Sequence, residues 1–360
     1  MFTALIFIII LGVLVLVHEL GHFVMAKRAG MKVEEFGFGF PPRLFGIKRG
    51  ETIYSINLIP FGGFVKIFGE DGGEKDSNRS FSSKSTAARA KVIVAGVVMN
   101  VLLAFVLLSI GNMWGLRVGF ADQPSDGHVQ DLRVQIIQVV SDSPAAQAEL
   151  EMLDEVVGFR VDGKEINITS VKEVQNVIGQ NKGKPIVFKI KRGSEVIEKE
   201  IVPRTDPPPG EGAVGISMAL TGVVKYSWYE SIWQGAKQTV ILTANTFIGY
   251  GQVIKNAFTT GSAGAELSGP IGIAKFTGQA ARIGFIYLLQ LMALLSINLA
   301  VLNIMPFPAL DGGRLLFLII EKIKGSPMPK KAEALANSIG FSLLILLMIY
   351  VTTKDILKFL

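Results

Sequence analysis

Residues His18-Glu19-Leu20-Gly21-His22 set two imidazoles four positions apart, with a carboxylate beside the first. On an α-helix, positions i and i+4 share a face, so both rings can reach one tetrahedral ion. Glu19 can then reach a water on that ion and act as general base. A catalytic site of this kind takes a third protein ligand and keeps one position open. The chain has 3 histidines and no cysteine, and the third histidine, His128, is distant in sequence. Disulfides, thiolate metal sites and a cysteine nucleophile are excluded. The expected third ligand is a carboxylate, and Asp311 is the best placed, in Asn303-Ile-Met-Pro306-Phe-Pro308-Ala-Leu-Asp311-Gly-Gly313. The plain alternative makes Asp311 a helix N-cap before a glycine turn.

The elements that must hold these residues are apolar. Of the 360 residues 49% are hydrophobic and only 18% charged, which points to a membrane solvent. Apolar stretches near 2–26, 92–116, 283–305 and 335–351 are long enough to cross a bilayer. Lys27, Lys91, Arg117, Arg282 and Lys354 stand at their ends as interfacial anchors. The first stretch has no positive charge before its apolar run and no small-residue cleavage site, so it reads as a retained helix. His18, Glu19 and His22 thus lie at membrane depth, where ionisable groups are costly and usually face a functional cavity. The prolines before Asp311 interrupt a helix, and such irregular backbone persists in a membrane only when buried in protein or lining a water-filled cavity.

The formal charge of +6 does not require nucleic acid, because the basic residues gather in loops beside the spans. The loop 27–91 carries 12 Lys/Arg against 7 Asp/Glu, and the short loop 312–334 is also Lys-rich. This bias marks the cytoplasmic side, and an odd number of crossings puts His18 and Asp311 on the same face.

The predicted fold is a polytopic α-helical membrane protein with four transmembrane helices, a membrane-associated β-hairpin and an inserted α+β domain. Its parts are a first transmembrane helix at 1–26 and a cytoplasmic hairpin loop at 27–91, then a second helix at 92–116. An extracytoplasmic domain follows at 127–203, and a linker with a membrane-associated amphipathic helix at 204–282. The third transmembrane helix, with the Asn303–Asp311 segment, covers 283–311, and the fourth covers 335–353. In the hairpin, Ile53 to Leu58 alternates, a turn is expected at Pro60-Phe-Gly-Gly63, and Phe64 to Phe68 returns. Glu70 to Ser85 reads as a flexible loop. The insertion offers strands at 134–140, 155–161 and 185–190 and a helix at 170–180. Arg204 to Gly212 is a linker by its prolines. Residues 226–258 form an apolar, interrupted helix with Tyr226, Trp228, Tyr229 and Trp233, lying against the membrane rather than across it.

The two motifs together resemble the site-2 proteases, a family of intramembrane zinc metalloproteases, and most closely their bacterial regulator-of-sigma-E branch. The resemblance extends to Phe36–Phe40 (FGFGF), the PFGGFVK stretch, Ala95-Gly96 and Asn100 in the second span, and Ser268 to Ala274. It implies one zinc ion on His18, His22 and Asp311, with Glu19 activating water and Asn303 at the site, stabilising the oxyanion or holding substrate backbone. It also implies a PDZ domain at 127–203, through Ser143-Pro-Ala-Ala146 and Asp162-Gly163. The usual glycines of that domain are replaced here by Glu149 and Leu153, which would take positive φ at a cost.

A peptide group that stays helical in lipid cannot be attacked by water, so a substrate must unwind locally. The hairpin offers an edge for β-augmentation, with Gly37, Gly39, Tyr54, Ile56, Gly62 and Gly63 as candidate substrate-binding positions. The expected partners are the bilayer and single-span membrane proteins such as anti-sigma factors or signal-peptide remnants. The expected location is a bacterial inner membrane, with the site near the cytoplasmic face. Two rival readings remain: a metal or proton transporter, and a scaffold acting through the insertion. The first leaves the soluble insertion unexplained, and the second leaves His18, Glu19 and His22 without a purpose.

Overall fold

A computed structural model describes residues 2–70, 77–120, 128–260, 269–326 and 328–359. Residue 127, Ser268 and positions 71–76 of the Gly/Ser-rich loop lie outside them. The chain forms two compact units, one of Met1–Ser109, Trp233–Gly278 and Leu289–Leu360, the other of Ile110–Ile232 and Gln279–Leu288.

Helices dominate the first unit. Among the described residues, four are long and apolar enough to cross a membrane: α1 (Phe2–Arg28), α2 (Thr86–Trp114), α7 (Phe285–Ile304) and α9 (Lys330–Phe359). At about 1.5 Å per residue, the 27 residues of α1 exceed a hydrocarbon core of about 30 Å. By length and composition this is a multi-pass membrane protein. Ile10, Leu14, His18, His22 and Ala26 of α1 are buried at four-residue intervals, while Leu5, Ile9 and Leu20 are exposed. The paired histidines therefore sit on the stripe that faces protein, not lipid. In α2 the inward stripe includes Val92, Gly96, Asn100 and Ala104, with Val98, Leu102 and Val106 exposed.

The remaining helices are α3 (Pro144–Gln147), α4 (Val171–Gln180), α5 (Trp228–Thr260), α6 (Pro270–Ile283) and α8 (Asp311–Lys324). Two readings change here. Residues 312–334, expected as a loop, are helical as far as Lys324, and Gly325 in the left-handed conformation ends that helix. The helix expected to be interrupted is α5, continuous over 33 residues. Its internal glycines weaken a helix by about 1 kcal/mol each relative to alanine without breaking it.

The hairpin pairs β1 (Val33–Arg49) with β2 (Thr52–Ile67). Its reversal lies at Gly50-Glu51, where Gly50 has φ 62°, and not at Pro60–Gly63, which stays inside β2. The ladder shifts so that residues 35–38 are partnered on both sides, Phe36 by Val65 and Tyr54, Phe38 by Gly63 and Ile56. At the hairpin's base, Met31, Val33 and Ile67 share a small core with Ala26 of α1, Val92 of α2 and Leu318 of α8. Its far half exposes Phe40, Leu44, Phe45, Ile47, Ile56 and Leu58.

The second unit holds an antiparallel sheet in the order β3 (Leu116–Phe120), β9 (Ile216–Val224), β4 (Val129–Val139), β5 (Glu155–Val161), β7 (Ile186–Arg192), β8 (Glu195–Ile201), with β6 (Lys164–Asn167) on β5. The sheet therefore passes the 127–203 bounds at both ends, because β9 follows the proline linker and inserts between β3 and β4. Phe159 and Phe188 meet edge-to-face at 4.6 Å in its core. Ser170 and Glu173 form a capping box on α4. Buried Asp154 accepts two hydrogen bonds from Arg192, at 2.8 and 2.7 Å, and one from the Glu151 amide.

Glu149 and Leu153 do take positive φ, 59° and 71°. Glu149→Gly and Glu149→Ala both remove the ion pair to Lys199, so their difference isolates backbone strain. The glycine variant should be the more stable by about 1 kcal/mol, read as roughly fivefold greater hydrogen-exchange protection at the neighbouring Leu150 amide. Equal protection would show that position 149 stores no strain.

Candidate metal centre

The i, i+4 spacing brings both rings of α1 to one point, where Asp311 at the start of α8 meets them. Asp311 Oδ2 lies 3.0 Å from His18 Nε2 and 3.2 Å from His22 Nε2, and the two nitrogens are 3.1 Å apart. His18 and His22 are buried, and Asp311 is largely so. The N-cap of α8 is Leu310, so Asp311 is the first helical residue and its carboxylate is directed to the histidines rather than to capping.

Close backbone approaches set this convergence. A Cβ at Gly21 would lie 2.3 Å from the Ala95 carbonyl oxygen, which lets α1 press against α2. A Cβ at Gly96 would lie 2.5 Å from His22 Nε2 and 2.7 Å from His18 Cε1, so this glycine leaves the space that both rings occupy. His22 Nδ1 contacts the Val92 carbonyl at 2.8 Å, and His18 Nδ1 lies 3.3 Å from the Asn100 amide. On the other side, Ala309 takes φ 75° and its N–H donates to Asn337 Oδ1 of α9, fixing the turn before Asp311. Arg89 of α2 grips Glu321 of α8 in a two-pronged pair at 3.1 and 2.5 Å.

Asn303, in the last turn of α7, places its amide nitrogen 3.4 Å from His18 Nε2. Glu19 lies beside the hairpin, its Cγ 3.7 Å from where a Gly63 Cβ would stand. Gly62 has φ 103°. Gly63–Ile67 is paired by β1 on one side only among the described residues. Tyr54 and Ile56 do not offer an open edge: Tyr54 is already flanked by Phe36 and Ile47, Ile56 by Phe38 and Phe45. Gly37 and Gly39 also lie in the inner row, Gly37 against Phe64 and Gly39 against Ile59. The early reversal at Gly50 is the cause, since it lays residues 43–49 along the outer side of 52–57. A cavity of about 410 Å³ opens beside Asp311, lined by Ala309, Leu310, Arg314, Asn337, Ser338 and Phe341.

The sequence matches the family model of peptidase family M50 over residues 6–347. The chain belongs to that family. Three relatives agree with the M50 assignment. A Clostridium perfringens protein named as a zinc metalloprotease is 40% identical, covering 96% of this chain and 95% of its own. Zinc metalloprotease RasP of Geobacillus kaustophilus is 31% identical, over 98% and 97%. Regulator of sigma-W protease RasP of Bacillus subtilis is 30% identical, over 98% of each. The site-2 protease resemblance read from the motifs is thereby shown, and the chain is a zinc metalloprotease of M50.

The residues present fit zinc. Two ligands bound at 2.0–2.1 Å across a tetrahedral angle stand roughly 3.3 Å apart, and the three donor separations here are 3.0, 3.1 and 3.2 Å. Two imidazoles and one carboxylate are also the donor set of a catalytic zinc that keeps a position open. Sequence reasoning missed the parts played by Gly21, the Val92 carbonyl and the Arg89–Glu321 pair. The first two have no side-chain signal, and the third depends on α8 being a helix.

Gly96→Ala raises helix propensity by about 1 kcal/mol, yet it should displace both rings. Metal analysis of the purified protein is expected to show under a tenth of the wild-type zinc with helical content unchanged. Full zinc occupancy in this variant would refute the packing account.

Proposed function

We propose that this M50 protease cuts single-span membrane proteins at an unwound segment, with His18, His22 and Asp311 as zinc ligands and Glu19 as general base. The observation that carries this reading is the convergence of three donor atoms within 3.2 Å of one another, with Glu19 the residue next to His18. Zinc, when bound, supplies a Lewis acid that polarises the scissile carbonyl and lowers the pKa of water. Glu19 takes the proton of the attacking water and returns it to the leaving amine. The Asn303 amide donates to the oxygen that becomes negative as the carbonyl is attacked. Water reaches the site from the cavity beside Asp311, along its polar side at Arg314, Asn337 and Ser338.

The substrate seat is the Gly63–Ile67 row, whose open edge begins beside Glu19 and accepts an unwound substrate segment as an added strand. The apolar far half of the hairpin dips into the membrane and presents that edge to a substrate span. The Lys/Arg excess in 27–91 assigns the site to the cytoplasmic face of a bacterial inner membrane, with the insertion outside. That insertion is read as a PDZ-like domain, through Ser143 capping α3 and Asp162-Gly163 in the β5–β6 turn. The strained Glu149 and Leu153 argue for a role in excluding or docking bulky substrates rather than in binding a peptide terminus. A Bacillus subtilis relative is named for sigma-W regulation. For this chain anti-sigma factors and signal-peptide remnants are the proposed substrates, some after a prior trimming cleavage.

Glu19→Gln should lower cleavage of a tagged single-span substrate in detergent by about 10²–10⁴-fold, with zinc content equal to wild type. Equal product from the two proteins would remove Glu19 from the mechanism. Unwinding predicts a second outcome: replacing Gly and Pro residues of the substrate span by Leu should slow cleavage severalfold. An unchanged rate would mean that unwinding does not limit the reaction.

A further inference from the structure

Asn100 is at mid-helix in α2, a span of 29 residues, and is fully buried. A polar amide at that depth is costly unless it has a task. Its backbone carbonyl accepts from Ser296 Oγ of α7 at 2.7 Å, but the side chain's single partner among the described residues is His18 Nδ1, at 3.3 Å. The other amide atom, Oδ1 as drawn, is buried with no partner among the described residues.

The ligand role of His18 decides which way this amide points. A ring that binds metal through Nε2 carries its proton on Nδ1 and needs an acceptor there. With the nitrogen of Asn100 turned toward His18, two donors would oppose each other. The oxygen and nitrogen of an amide are assigned from the surrounding hydrogen bonds, and here they require Oδ1 to face the ring. His22 is served in the same manner, its Nδ1 donating to the Val92 carbonyl at 2.8 Å. Val92, Gly96 and Asn100 follow one another at four-residue intervals on the buried face of α2. The first and last each stand at hydrogen-bond distance from a ring Nδ1, and Gly96 between them leaves room for the rings.

We propose that Asn100 is a positioning residue: its amide oxygen accepts the Nδ1 proton of His18, fixing the tautomer and angle at which Nε2 meets zinc. The proposal rests on His18 being a zinc ligand, which wild-type zinc content tests independently.

The experiment compares zinc affinity of the full chain in detergent, by competition with a chelator, for wild type, Asn100→Asp and Asn100→Leu. Aspartate keeps the size and offers only acceptors, so Asn100→Asp should bind zinc as tightly as wild type or more tightly. Leucine removes the acceptor and should weaken zinc about 10–100-fold. The cobalt-substituted protein should show a ligand-field spectrum that is altered in Leu and restored in Asp. If Asn100→Asp loses zinc, or Asn100→Leu keeps wild-type affinity, the proposal is overturned. Should the leucine variant not fold, the aspartate result decides alone, because an ionised carboxylate cannot stand in for a donor. Wild type without zinc would instead refute the ligand assignment beneath it.

Discussion

Three lone-pair donors held about 3 Å apart in a buried site repel one another unless positive charge lies between them. His18 Nε2, His22 Nε2 and Asp311 Oδ2 are such a set, drawn from residues 293 apart in the chain. Much of the first unit serves that convergence. Gly21 brings α1 onto α2, Gly96 makes room for the rings, and the Arg89–Glu321 pair joins α2 to the helix that begins with Asp311. On the proposed zinc reading, metal binding and the packing of α1, α2 and α8 are one property, since a site assembled in this way is coupled to folding.

On the proposed reading, the hairpin meets a second constraint, that a substrate must leave its helix before it can be cut. A membrane tolerates no unpaired backbone, so the unwound segment needs hydrogen-bond partners as it opens. The two inner rows of the hairpin, around residues 35–38 and 53–56, are already paired on both sides. Among the described residues the open edges are the outer row 43–49 and the row starting at Gly63, and it is the Gly63 row that starts beside Glu19, the proposed general base. Glycine at 63 lets this row lie close to both Gly37 and Glu19. The apolar far half exposes Phe40, Leu44 and Ile47, which fits the proposed contact of the hairpin with lipid.

The features legible in the sequence were those set by local chemistry. Long apolar runs mark the four spans, and the spacing of His18 and His22 marks a shared face. Asp311 followed by elimination, since His128 and cysteine were not available. What was not legible depended on pairing between distant residues. Pro60-Phe-Gly-Gly63 has the composition of a turn, yet its glycines serve close approach, and Gly50 makes the reversal. The proline linker looked like the end of the insertion, but β9 returns to the middle of the sheet, a placement fixed only by its partners β3 and β4. Residues 226–258 were expected to form an interrupted helix, but α5 runs unbroken through Gly235. Its bare face instead packs on Ser109, whose Cα would be 2.9 Å from a Cβ there.

The central claim is that one zinc ion joins two imidazoles of α1 to the carboxylate of α8. X-ray absorption on the zinc-loaded protein tests it most directly, comparing wild type, Asp311→Ala and His128→Ala. Wild type and His128→Ala should show the same shell of nitrogen and oxygen donors at about 2.0–2.1 Å, with the scattering of two imidazoles, while Asp311→Ala loses zinc or changes its oxygen shell. A third imidazole that disappears in His128→Ala, or an unaltered spectrum in Asp311→Ala, would contradict the account.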